Sequence, residues 1–258
     1  MKVGAYQFAV SGDIDKNLEV IKKGIAQAVK KGVHLLVFPE CALTGYVKRD
    51  IEKATDVDFD KLDVAYGKLQ ELSDENKMCI IVGTITKEDN DFFNCAAVFR
   101  PKEEIFFYEK RALWGWDKEN FTRGSGDGMF EFDEYDIGVR LCYEVRFPEF
   151  FREMYEKKTF LNIIMFYDVA DEDDVNRYDL IKSHIRTRAS ENVVHTLSVD
   201  AISPYQTAPT ALYDRSGYPL VELNRNEEGL LVYDLEYSEP DFGETGRMTI
   251  SDWLDKYY

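Results

Sequence analysis

Short, continuously apolar runs punctuate the chain: "VHLLVF", "MCIIVGTI", "IGVRLC", "TFLNIIMF" and "VVHTLSV". All but "IGVRLC" follow a stretch in which apolar residues recur at helical spacing. Runs this short read as strands buried on both faces, and the spaced stretches read as amphipathic helices that cover them. The first helix takes its cap from Asp13 or Asp15, carries Leu18, Ile21, Ile25, Ala28 and Val29 at helical spacing, and stops at Gly32. Further helices are expected over residues 60–76, 148–157 and 175–192. The order is β-α-β-α-β-β-β, a loop, then β-α-β-α-β-β-β-β. Such alternation demands layers with helices on sheets, and its two similar halves could set sheet against sheet in an α-β-β-α sandwich, one option among several.

At 258 residues with no low-complexity linker, one domain is expected. A net charge of −17 repels phosphate backbones and argues against nucleic acid as a partner. No apolar run reaches the length of a membrane span, and "MKVGAYQFAV" lacks a secretory core, so a cytoplasmic protein is expected. The four cysteines show no CxxC spacing and the three histidines no metal-binding pattern; neither disulfides nor a metal site is expected. Cys41, Cys79 and Cys95 are read as structural.

Three residues able to do chemistry each follow an apolar run: Glu40, Lys110 and Cys142. Buried strands open into loops at their C-terminal ends, where α/β proteins build sites. An acid, an amine and a thiol suit attack on an unreactive carbonyl or nitrile carbon. The carboxylate accepts the thiol proton, and the ammonium stabilises the oxyanion. No metal or organic cofactor is required.

"FPECALTGY" (38–46), "YEKRAL" (108–113) and "GVRLCYEVRFPE" (138–149) occur in the order and at the separations seen in the carbon–nitrogen hydrolase (nitrilase) superfamily, which the chain resembles from residue 2 to about residue 236. That resemblance implies an α-β-β-α sandwich as a single domain. Glu40 would be the general base, Lys110 the oxyanion stabiliser and Cys142 the nucleophile. Glu119 would position Lys110 or the substrate, and the Tyr143 backbone N–H would complete the oxyanion hole. Tyr46, Arg146 and Asp168 are candidate substrate contacts, while Glu144 and Arg146 read as an ion pair bracing the turn after Cys142.

The "RFPE" ending is similar to the small-amide branches, of the omega-amidase and deaminated-glutathione amidase type, so amide hydrolysis is expected, with N-carbamoyl-amine hydrolysis as the alternative. A silent interaction scaffold is the rival outside enzymology. The segment after "NIIMF" departs from the family pattern: it has no tryptophan and carries the acidic stretch 168–174. Were Asp168, Asp171 or Asp173 to face the pocket, the substrate would be cationic. Residues 1–240 are assigned to the hydrolase domain and 241–258, with Trp253, Tyr257 and Tyr258, to an extension at an oligomer interface, with a homodimer expected.

Overall fold

Asp13 caps the first helix through its carboxylate, which accepts the backbone N–H groups of Asp15 and Lys16, and Gly32 ends it in the left-handed region at φ 68°. The computed structural model describes residues 1–254; Tyr257 and Tyr258 lie outside them. Through the first half run β1 (Lys2–Gln7), α1 (Ile14–Lys31), β2 (Leu35–Val37), α2 (Phe59–Asn76), β3 (Cys79–Glu88), β4 (Asp91–Phe99), β5 (Phe106–Glu109) and the short α3 (Trp116–Asn120). The chain continues through β6 (Met129–Phe132), β7 (Tyr135–Leu141), α4 (Pro148–Glu156), β8 (Leu161–Phe166), β9 (Val169–Ala170), α5 (Val175–Asn192), β10 (His195–Asp200) and β11 (Tyr205–Gln206). Last come β12 (Ala211–Tyr213), β13 (Pro219–Glu222), β14 (Gly229–Asp234) and α6 (Phe242–Leu254).

Two six-stranded sheets result, in the orders β14-β1-β2-β3-β4-β5 and β13-β12-β10-β8-β7-β6. Side-chain alternation assigns each strand to two interfaces. In β2, Leu36 packs with Ile21 and Ile25 of α1, while its neighbours Leu35 and Val37 pack with Val139, Ile163 and Leu197 of the opposite sheet. On the far side, Ile164 and Phe166 of β8 meet Phe151 of α4 and Ile181 and Ile185 of α5. These three apolar layers define a four-layer α-β-β-α sandwich in one domain. Each fully buried Ile or Leu stabilises it by about 1.5–3 kcal/mol relative to exposure.

Two features depart from the reading as two similar halves. β14, from the end of the chain, leaves the second sheet and pairs antiparallel with β1, Ala5 opposite Leu231, which covers an otherwise open parallel edge. β9 and β11 form a separate two-stranded ribbon within and beyond the acidic stretch. α6 adds a helix in the C-terminal segment.

Candidate active site

Glu40 sits three residues past β2 and is inaccessible to solvent. Its turn is clamped from both sheets. Phe38 donates its N–H to the Ile81 carbonyl at 2.9 Å, and Glu40 donates to Phe166 of the other sheet at 3.2 Å. Gly83 permits this: a Cβ there would lie 2.3 Å from the Pro39 oxygen and the Cys41 nitrogen, so only glycine lets β3 pass so close. The carboxylate has three donors, Lys110 Nζ at 2.7 Å and Asn94 Nδ2 at 2.8 Å on Oε1, and the Tyr167 N–H at 3.0 Å on Oε2.

Lys110 follows β5, and its backbone N–H bonds to the Asn94 carbonyl at 2.8 Å. The buried ammonium lies between two carboxylates, Glu40 and Asp117, with Asp117 Oδ2 at 2.6 Å. Tyr46 donates its hydroxyl to Asp117 Oδ1 at 2.7 Å and stacks on Tyr167 at 4.9 Å. Glu119, expected to hold Lys110, is instead exposed on α3. Residues two apart on a helix face opposite ways, so the helix can offer Lys110 only one of these acids. Phe121, buried one helical turn after Asp117, marks the inward face and is the sequence signal that picks out Asp117.

Cys142 directly follows β7, at φ 42° in the left-handed region, with its side chain half-buried. Such a conformation costs a non-glycine residue of order 1–3 kcal/mol and turns the chain sharply at the sheet edge. Glu144 holds the turn. It is fully buried, and its carboxylate accepts the Leu141 N–H at 2.8 Å, the Arg111 N–H at 2.7 Å, the Ala112 N–H at 3.3 Å and the Tyr108 hydroxyl at 2.9 Å. It therefore ties the lysine segment to the cysteine turn. The expected pairing of Glu144 with Arg146 is absent among the described residues, because backbone donors from two segments already saturate Glu144. Arg146 instead lies over the Tyr143 ring, 5.9 Å from its centroid, and is not part of the cavity wall.

A cavity of about 330 Å³ opens above these groups, lined by Lys110, Asp117, Cys142, Tyr143, Tyr46 and Asp168 among others. Trp114 and Trp116 form an aromatic wall, and Arg49 and Arg177 stand at the same opening. Asp168 does reach the cavity, but Arg177 holds it bidentately, Nε to Oδ1 at 2.8 Å and Nη2 to Oδ2 at 3.0 Å. Asp171 pairs with Arg49, and Asp173 with Arg225. Asp174 caps α5. Three of the five acids of the stretch, Asp168, Asp171 and Asp173, are thus paired with arginines from three separate segments.

Electrostatics follow the burial. Burial raises the Glu40 carboxyl above its ordinary value and Asp117 adds to the rise, against the pull of Lys110. Burial alone would lower Lys110, but the Asp117 and Glu40 carboxylates outweigh it and hold the ammonium well above the usual lysine range. Burial, then the Glu40 carboxylate, keeps the Cys142 thiol well above its usual value. At rest the site therefore holds a thiol, a firmly protonated lysine and a carboxylate of enhanced basicity.

A thiol, an ammonium and two carboxylates thus meet at one edge of a four-layer sandwich. The carbon-nitrogen hydrolase model matches residues 2–239, and the chain belongs to that family, whose members hydrolyse carbon–nitrogen bonds. It is similar to 2-oxoglutaramate amidase of Bacillus subtilis, 28% identical over 247 residues, 92% of this chain and 91% of that one. It is also similar to an omega-amidase of Xenopus tropicalis, 29% identical across 61% of this chain and 59% of that one. A hydrolase of Schizosaccharomyces pombe is 27% identical across 57% of this chain, and the match spans about half, 49%, of that relative. A cysteine-to-alanine mutant of the amidase from Nesterenkonia sp. AN1, in complex with butyramide, shares the fold over all of this chain and 97% of that one, at TM-score 0.83 and 22% identity.

Proposed function

We propose that the protein hydrolyses a small linear amide through a thioester on Cys142. Glu40 accepts the thiol proton as Sγ attacks the carbonyl carbon, and Lys110 Nζ and the Tyr143 N–H receive the oxyanion. Tyr143 is the second residue of a 3-10 turn over Cys142–Arg146, ahead of the first i→i−3 bond, so its N–H has no partner within the turn. The proton on Glu40 passes to the leaving nitrogen and ammonia departs. Glu40 then deprotonates the water that cleaves the thioester, regenerating the thiol and releasing a carboxylate. Asp117 keeps Lys110 charged and pointed at the cavity. The observation that carries the reading is the buried ammonium held between Glu40 and Asp117 on the floor of the cavity that Cys142 lines.

The substrate we favour carries a carboxylate away from the amide. Arg49 uses only Nη1 on Asp171, and Arg177 uses Nε and Nη2 on Asp168, so both keep donors at the opening. Asp168, Asp171 and Asp173, the acids that would have favoured a cationic substrate, are each already paired with an arginine. The names of the Bacillus and Xenopus relatives point the same way. An N-carbamoyl amine lacks that carboxylate and is the less favoured reading. Ammonia release from succinamate, butyramide and an N-carbamoyl amine tests this directly. Succinamate should be hydrolysed fastest, without carbon dioxide, and intact mass should trap an acyl group on Cys142. Faster turnover of the carbamoyl amine with carbon dioxide would overturn it.

A cytoplasmic homodimer is part of the same proposal. The four cysteines are all unpaired thiols, and no helix among the described residues is long and apolar enough to cross a membrane. On α6, Phe242 and Ile250 are exposed at 97% and 58%, an apolar surface that a second copy would cover. In this reading residues 241–258 form the interface segment.

A further inference from the structure

At the opposite end of the second sheet from Cys142, where β7, β8 and β10 begin, lies a larger cavity of about 550 Å³. Its floor is aromatic: Tyr135 and Phe160 stack at 4.1 Å, and the His195 ring lies 6.4 Å from Phe160. Its roof is the strap from Glu236 to Pro240 together with Met248 of α6.

Among the described residues, the charge around this cavity is one-sided. The two cations in its wall are already matched, Lys158 by Asp252 at 2.7 Å and Arg215 by Glu244 at 2.8 Å. Three exposed acids of the wall, Glu134, Asp136 and Glu236, have no side-chain hydrogen bond or ion pair among the described residues. His195 adds a partly buried imidazole whose ring nitrogens are likewise unpartnered, and burial and Arg215 lower its pKa, which favours the neutral form with a free acceptor nitrogen. Aromatic surface beside uncompensated carboxylates is the chemistry that holds an organic cation, through cation–π attraction and charge-assisted hydrogen bonds.

We propose that this cavity is a second binding site, separate from the catalytic one, and that it takes a small aromatic or aliphatic ammonium. The apolar body would rest on Tyr135 and Phe160, with the ammonium toward Asp136 and Glu236. The protein's own α6 completes the site, because its Met248 closes the roof and its Asp252 neutralises Lys158, which would otherwise repel the ligand.

Calorimetric titration of the full chain with phenethylamine is the test, with neutral 2-phenylethanol and anionic phenylacetate as matched probes. Saturable phenethylamine binding with a Kd of about 1 mM or tighter is expected, at least tenfold stronger than either control. Binding should persist in Cys142→Ala and after alkylation of Cys142, which separates it from binding in the catalytic cavity. It should weaken at least tenfold in the Asp136→Asn/Glu236→Gln double variant, whose exposed positions leave the fold and the amide hydrolysis unchanged. No saturable binding up to about 10 mM, equal binding of 2-phenylethanol, loss of binding on alkylation, or full binding by the double variant would each overturn the proposal.

Discussion

Cys41 and Cys142 stand in the same local geometry at the ends of two facing sheets. Both follow a buried strand within a few residues, both adopt positive φ, 51° and 42°, and both thiols are raised first by burial and then by the Glu40 carboxylate. Acidity therefore does not distinguish them. Access does. Cys41 is wholly buried, and its thiol donates to Asn94 Oδ1 at 3.6 Å, whereas Cys142 lines the cavity beside Lys110. A nucleophile here is defined by where a substrate carbon can approach, with a base in reach, rather than by a lowered thiol pKa.

The sharpest test of that contrast is the pair of alanine variants. Cys142→Ala should abolish amide hydrolysis, a loss of about 10⁴-fold or more, because without a nucleophile only binding and the oxyanion donors remain. Cys41→Ala should retain activity within a few-fold. Steady-state ammonia release checks both, and comparable losses would erase the distinction between the two turns.

A smaller effect is expected at Asp117, which acts through Lys110 and Glu40. Asp117→Asn should lower kcat about 10- to 100-fold by loosening the aim of an ammonium that its remaining 2.7 Å bond keeps beside Glu40. A pH profile separates this from a purely structural defect. Glu40 must be ionised to accept the thiol proton, so kcat/KM rises with pH through the Glu40 pKa. In the wild type that limb lies above the ordinary carboxylate value, since burial and Asp117 both raise Glu40. Removing the Asp117 charge takes away one of the raising influences, so the limb should move to lower pH. A limb that stays in place while kcat falls would show that Asp117 does not act through Glu40.

The smallest effect concerns stability alone. Cys41→Ala leaves a small void under the Glu40 turn and should cost about 1 kcal/mol, a fall in Tm of about 2–4 °C for a chain of this size. Calorimetry of Cys41→Ala beside Cys142→Ala, where the side chain is already half-open to the cavity, should show the larger drop for Cys41.

Much of the fold was legible because it rests on local periodicity. The cap at Asp13, the stop at Gly32, α5 over Val175–Asn192 and the strand runs before Glu40 and Cys142 all follow from spacing and turn chemistry within a few residues. The pairing of β14 with β1 was not legible, since "GLLVYDLE" suits either sheet and only the unfilled edge of β1 selects one. Glu119 and Asp117 were both available in "WGWDKENF", and the orientation of a five-residue helix decided between them. Glu144 was matched with Arg146 because the two are near in sequence, while its actual donors come from residues 108–112 and from Leu141.

The sequence by itself determined the layered α/β architecture and the delivery of an acid, an amine and a thiol to strand ends, because strand and helix periods and the residues that terminate them act over short range. Tertiary structure alone decided that Asp117 rather than Glu119 grips Lys110, and that Arg49, Arg177 and Arg225 pair with three of the acids in the stretch 168–174. Those outcomes depend on side chains that converge from positions 7 to 122 residues apart, where burial and competition for hydrogen-bond donors select one partner among several chemically equivalent ones.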